Sequence, residues 1–206
     1  AQVGRRGAML RGVEDAHRLV RELSSGRLCD AVFEGRQDVL QAVLAQPGTD
    51  PATRDSKGRL PLQEAVHKGN VEAVAELLHA RADPSSRDRG GGTALQIASW
   101  AGHADIVELL LEKAANVNEP DGHGRLPLCS AARKGHLRVV QLLLSARVNP
   151  CQPERIANGD QVRVVDPYEA AREGRSPQVA NIIKAAQEEQ QQRGRPLCGG
   201  CYAWCR

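Results

Sequence analysis

Apolar residues recur along this chain at a fixed interval. Val74, Val107 and Val140 are 33 residues apart, and so are Leu77, Leu110 and Leu143, and Leu78, Leu111 and Leu144. Inside each interval the apolar positions fall three and four apart, as in NVEAVAELLH and HADIVELLLEK, which puts them on one face of a helix. Polar and turn-forming residues keep the same step: Asp55, Asp88 and Asp121; Gly58, Gly91 and Gly124; Gly69, Gly102 and Gly135. Asp-x-x-Gly is turn chemistry, because the carboxylate accepts from nearby backbone N–H groups and glycine takes positive φ without strain. Pro61 and Pro127 follow at positions where a first helical residue needs no N–H donor. Each interval therefore predicts a turn, a short helix ending at glycine, a second amphipathic helix and a return linker such as ARADPSSRDRGG.

Two of these intervals, DRGGGTALQIASWAGH and DGHGRLPLCSAARKGH, resemble the ankyrin repeat, whose pattern is D-x-x-G-x-T-P-L-H-x-A-A-x-x-G-H. The resemblance implies an all-α repeat solenoid of helix–turn–helix units with β-hairpin fingers. It covers residues 27–187, with five repeats starting near 27, 55, 88, 121 and 150. The first, LCDAVFEGRQDVLQAVLAQPGTDP, carries one extra residue, and in the last, DPYEAAREGRSPQVANIIKAAQ, Gly174 lies 39 residues after Gly135. The chain also departs from the pattern. The Thr and His that tie the first helix to its turn become Leu60 with Gln63, Thr93 with Gln96, and Leu126 with Cys129. The glycine that ends the second helix becomes Arg81, Ala114 and Arg147, so non-glycine residues are expected at positive φ there.

Outside the repeats, MLRGVEDAHRLVREL places Leu10, Val13, His17, Val20 and Leu23 at helical spacing, predicting an N-terminal helix in 1–26 that covers the first repeat. A free amphipathic arm for a partner is the other reading. Between the fourth and fifth repeats, Asn158-Gly159 stands between two β-prone segments and predicts a lengthened finger over 150–166. That finger is either a tolerated surface insertion or an added partner contact. Residues 188–206 read as a Cys-containing, disordered tail. The absence of an initiator Met suggests a processed or excerpted chain.

Composition narrows the function. Aromatic residues make up only 2%, which suits thin layers of helices rather than a large ligand cavity. A net charge of +3 gives little reason to expect nucleic acid, and a basic groove would need more stacking aromatics. There is no apolar run of about eighteen residues and no secretory signal. The six cysteines are too scattered for a disulfide scaffold, so a reducing setting is expected, the cytoplasm or the nucleus. Cys198, Cys201 and Cys205 have zinc-like spacing but no fourth ligand, leaving either free thiols or part of a zinc knuckle. Gly90-Gly91-Gly92-Thr93 lacks the lysine and the preceding strand of a phosphate loop. No hydrolase or metalloprotease motif is present, so neither an enzyme nor a cofactor is expected.

The resemblance implies binding of another protein on the concave surface built from finger tips and first helices. Its variable positions here are Phe33 and Glu34, His67 and Lys68, Trp100 and Ala101, Arg133 and Lys134, and Arg172 and Glu173, and the fingers add Ser56, Lys57, Arg59, Arg89, His123 and Arg125. An aromatic ringed by cations is hot-spot composition, which points to an acidic partner segment. The expected function is that of a scaffold or adaptor. The alternatives are a regulatory or targeting module of a larger enzyme or channel, and a nucleic-acid-binding module.

Overall fold

The computed structural model describes residues 28–113, 115–158 and 161–192. The N-terminal helix expected over 1–26, Ala114, Gly159 and the cysteines of the tail lie outside the described residues. The chain divides into two compact units, Ala1–Asp88 and Arg89–Arg206.

In the first unit, helical residues 28–34 (α1) precede α2 (Gln37–Leu44), and α3 (Pro61–Lys68) precedes α4 (Val71–His79). Leu28, Val32, Leu40, Leu62, Ala65, Val66, Val74 and Leu77 form its core, all nearly sealed from solvent. Pro61 starts α3 without a side-chain cap, whereas Asn70 caps α4 by accepting from Ala73 N–H at 3.0 Å. Gly69 ends α3 at φ 69°, with Gly69 N–H donating to Val66 O and Asn70 N–H to Ala65 O.

The second unit contains α5 (Ala94–Ala101), α6 (Ala104–Glu112), α7 (Pro127–Lys134), α8 (Leu137–Ser145), α9 (Pro167–Glu173) and α10 (Pro177–Gln192). Helix α7 packs between α5 and α9. Leu95, Ala98, Ile106, Leu110, Leu128, Ala131, Val140, Leu143, Ala170 and Ile183 fill the core. Thr93 caps α5 and Asp166 caps α9, accepting from Glu169 N–H at 2.7 Å. Strands β1 (Glu154–Asn158) and β2 (Gln161–Val165) precede α9 as an antiparallel pair with Glu154 opposite Val165 and Arg155 opposite Val164. Paired helices with hairpin fingers make this an all-α repeat solenoid.

The fingers at Asp55 and Asp121 are built by the same device. Asp55 Oδ1 accepts from Lys57 N–H at 2.9 Å and Arg59 N–H at 2.7 Å, and its Oδ2 accepts from Arg59 Nε at 2.7 Å. Asp121 repeats this with His123 N–H at 2.8 Å, Arg125 N–H at 2.9 Å and Arg125 Nε at 2.7 Å. A second set of turns follows the second helices. The side chains of Asp50, Asp83, Asn116 and Asn149 each accept from the N–H two residues on, at 2.9, 2.9, 3.1 and 3.0 Å. Gln63 and Gln96, at the family's His position, also hold neighbouring turns or helices: Gln63 Nε2 donates to Ser86 O at 2.7 Å and Gln96 Nε2 to Ser130 Oγ at 2.8 Å.

Helices α4 and α8 end as the missing glycines imply. Arg81 sits at φ 66° and Arg147 at φ 60°, each followed by a buried apolar residue, Ala82 or Val148, whose N–H reaches back to Leu77 O or Leu143 O. Helix α9 ends differently. Gly174 stays right-handed at φ −71° and Arg175 takes the left-handed position at φ 55°. Gly174 is required for another reason: a Cβ there would fall onto the Arg133 carbonyl.

Left-handed backbone costs an L residue roughly 1–2 kcal/mol relative to glycine. Replacing Arg81 or Arg147 with glycine should therefore raise the melting temperature, by about 2 to 4 °C per site for a chain of this size. Thermal unfolding followed by circular dichroism measures this, and no rise at either site would contradict the strain.

Candidate functional site

Two aromatic side chains stand out on a chain with few of them: Phe33 is 54% exposed on α1 and Trp100 is 40% exposed on α5. Each occupies the variable position before the glycine that ends its helix, and each is covered by cations from the following repeat. In the first unit the Lys68 ammonium lies 3.9 Å from the Phe33 ring centroid and the Arg59 guanidinium 6.0 Å. In the second, Lys134 lies 4.0 Å and Arg125 5.6 Å from the Trp100 ring. Both arrangements fall within the range of cation–π attraction.

The arginines and lysines in these clusters differ. Arg59 is bound by Asp55 at 2.7 Å and Asp30 at 2.9 Å, and Arg125 by Asp121 at 2.7 Å. They brace the fingers and only then reach the rings. Among the described residues neither Lys68 nor Lys134 has a carboxylate partner, and both are exposed at helix C-termini, where positive charge is favourable. The Trp100 cluster is supported from beneath. His136 Nε2 lies 3.1 Å from Trp100 O, and its ring occupies the space a side chain at Gly102 would need.

Arg133 is engaged within the second unit. Its guanidinium pairs with the fully buried carboxylate of Glu154 on β1 and, at 3.3 Å, with Glu173 on α9; Glu173 also takes Arg163 from β2. Glu154 Oε2 further accepts from Leu126 N–H at 3.4 Å, a backbone group at the uncapped start of α7. The long finger is thus fastened to α7 and α9 by alternating charges. Sequence reasoning did not find Glu154 or Arg163, because the insertion has no counterpart in the other repeats; it did place Glu173 at a variable surface position, but not its pairing with Arg133 and Arg163. Lys57 and His67 in the first unit, and Arg89, His123 and Arg172 in the second, are exposed.

These features match a known frame. The family model for ankyrin repeats, in 3 copies, matches residues 28–121 and 76–154, more than half of the chain. The chain belongs to the ankyrin-repeat family. No curated protein matches it. Ankyrin repeats are generally non-catalytic modules that bind other proteins, and the frame here presents cations beside aromatic rings. Among the described residues no three His, Cys, Asp or Glu side chains gather as a metal site, and no helix is long and apolar enough to cross a membrane. Cys198, Cys201 and Cys205 lie outside the described residues. Burial and then the charge of Asp55 push the Cys29 thiol up to about 12, and burial with Glu154 nearby raises Cys129 well above the usual thiol value, so the thiolate form is disfavoured at both.

Two consequences are measurable. Burial acts to raise the Asp55 carboxyl, but the Arg59 N–H and guanidinium and the Lys57 N–H bind the ionised form and hold it below its ordinary value. A depressed carboxyl stabilises the fold fully above its unfolded value, near 3.9, and loses that contribution as pH falls through the lower folded value. Urea unfolding across pH 2 to 7 should therefore show Asp55→Asn less stable at neutral pH and less sensitive to acid than wild type. Equal acid sensitivity would contradict the brace. Removing Arg133 leaves Glu154 buried without its counter-charge, so Arg133→Ala should cost about 3 kcal/mol or more. The pair Arg133→Met with Glu154→Leu should recover most of that loss in the same assay.

Proposed function

We propose that this ankyrin domain is a scaffold or adaptor that receives an acidic segment of a partner protein on its finger tips and first helices. The observation that carries this reading is Lys134, an ammonium without a carboxylate partner among the described residues, held 4.0 Å from the half-exposed ring of Trp100. A ring buried beneath a partner supplies area, and the lysine above it supplies charge for a carboxylate. Arg125, already braced by Asp121, adds a directional guanidinium edge. Exposed His123, Arg89 and Arg172 extend the positive surface of the second unit. Arg133 serves the reading indirectly, by anchoring the long finger.

The first unit carries a counterpart in Phe33, Lys68, Arg59, His67 and Lys57. Phe33 offers a smaller ring than Trp100, so the second unit holds the anchor. The reading takes the array as five repeats, with α1–α2 and α9–α10 as its first and last pairs. Buried thiols at Cys29 and Cys129 favour a reducing compartment, cytoplasmic or nuclear.

A pull-down with wild type, Trp100→Ala and Lys134→Glu, each verified as folded by circular dichroism, tests the proposal. Trp100→Ala should weaken capture of the partner by about 2 kcal/mol, roughly thirtyfold. Lys134→Glu should weaken it and make the remaining binding less dependent on salt. Affinity unchanged by both variants would place the partner elsewhere.

A further inference from the structure

The long finger carries a second surface that the reading above does not use. Successive strand residues face opposite sides, and paired residues share a side. Glu154, Ile156, Arg163 and Val165 face inward, where Glu154 and Val165 are each 1% exposed. Arg155, Val162 and Val164 face outward, and the two valines are 62% and 47% exposed.

The backbone settles which groups are free. Arg155 N–H donates to Gly124 O at 3.3 Å, and its carbonyl lies against Gly124, so both groups point away from β2. Arg155 therefore belongs to a non-hydrogen-bonded pair with Val164, and by alternation Val162 belongs to another. The N–H and C=O groups of both valines then point to the outer edge of β2, where no backbone group bonds them among the described residues. Edge strands are ordinarily protected by an outward charge, a proline or a bulge. Here the lone charge on β2, Arg163, faces the other side and is tied to Glu173.

The geometry points to the outer edge of β2 as a docking site for an extended strand of a partner protein, added antiparallel, with apolar residues beside Val162 and Val164 and an acidic residue opposite Arg163. Charge selects this occupant. The ion-pair series Glu154, Arg133, Glu173, Arg163 alternates in sign and ends on a cation that is 62% exposed, so an anion continues it. A second copy paired about Arg163 would instead set the two Arg163 side chains opposite each other, which is unfavourable. A helix cannot bond the free edge groups, and strand addition is an established way to satisfy them.

The probe is a capped seven-residue peptide, alternating threonine and valine around a central valine-glutamate-valine, titrated into the full chain. Amide hydrogen exchange and fluorescence anisotropy read out binding. Without peptide, Val162 and Val164 amides should exchange quickly while Arg163 and Val165 are protected; with peptide, the first two should slow at least tenfold. N-methylation of the two central valines, which leaves the protein untouched, should weaken binding at least tenfold, and lysine in place of the glutamate at least fivefold. Val164→Pro removes an outward donor that the β1 ladder does not use and should also weaken binding. Absence of saturable binding at millimolar peptide, or affinity indifferent to N-methylation, overturns the proposal. Protection of Val162 and Val164 that grows with protein concentration alone overturns it in favour of self-association. Trp100→Ala should leave this binding unchanged, so the two surfaces stand or fall separately.

Discussion

Helices of eight or nine residues do not persist in water by themselves, since nucleation costs more than so few backbone bonds return. Most helices described in this chain are of that length, and their stability must come from burying an apolar face against neighbours. The 33-residue period is the means: it brings the same face to the same place in each repeat, so Val74 and Leu77 in one unit do what Val140 and Leu143 do in the other. Everything else, including the exposed rings, is mounted on that stacking.

The turns that set the period are themselves electrostatic devices. Asp55 and Asp121 each accept two backbone N–H groups and one guanidinium, which fixes both the path of the chain in their fingers and the direction of Arg59 or Arg125. The same arginine then reaches the edge of an aromatic ring, so folding and surface chemistry share a side chain. Lys68 and Lys134 at the helix ends complete the clusters, with no carboxylate partner among the described residues. The array has a small net charge, yet Lys68 and Lys134 give it local positive charge beside the rings, while Arg59, Arg125, Arg133 and Arg163 are paired with carboxylates.

The insertion before α9 shows the same economy. It lengthens a finger, and a loop of that length would ordinarily be mobile. Burying Glu154 beneath Arg133 and sharing Glu173 between Arg133 and Arg163 makes it part of the second unit. The arrangement is self-supporting, since a buried carboxylate is tolerable only while its partner is present. Its outer strand remains unpaired on one side, and that edge distinguishes this finger from the short ones.

Repeat period, turn aspartates and helix-ending glycines could be read directly from the residues, as could the left-handed ends at Arg81 and Arg147. These are effects between near neighbours in the chain, governed by side-chain spacing and backbone sterics. The aromatic positions could be read as well, once the frame was recognised. Other features depended on distance in space. Arg59 and Arg125 are each bound by the aspartate four residues earlier in the same turn, whereas Arg133 is claimed by Glu154, a carboxylate from an insertion the repeat pattern does not describe. Gly174 gave a misleading sign: it aligned with helix-ending glycines but is needed where the backbone passes the Arg133 carbonyl, and Arg175 makes the turn instead. Charge pairing and close backbone approach act over a few ångströms between residues far apart in sequence, so only the folded chain assigns them.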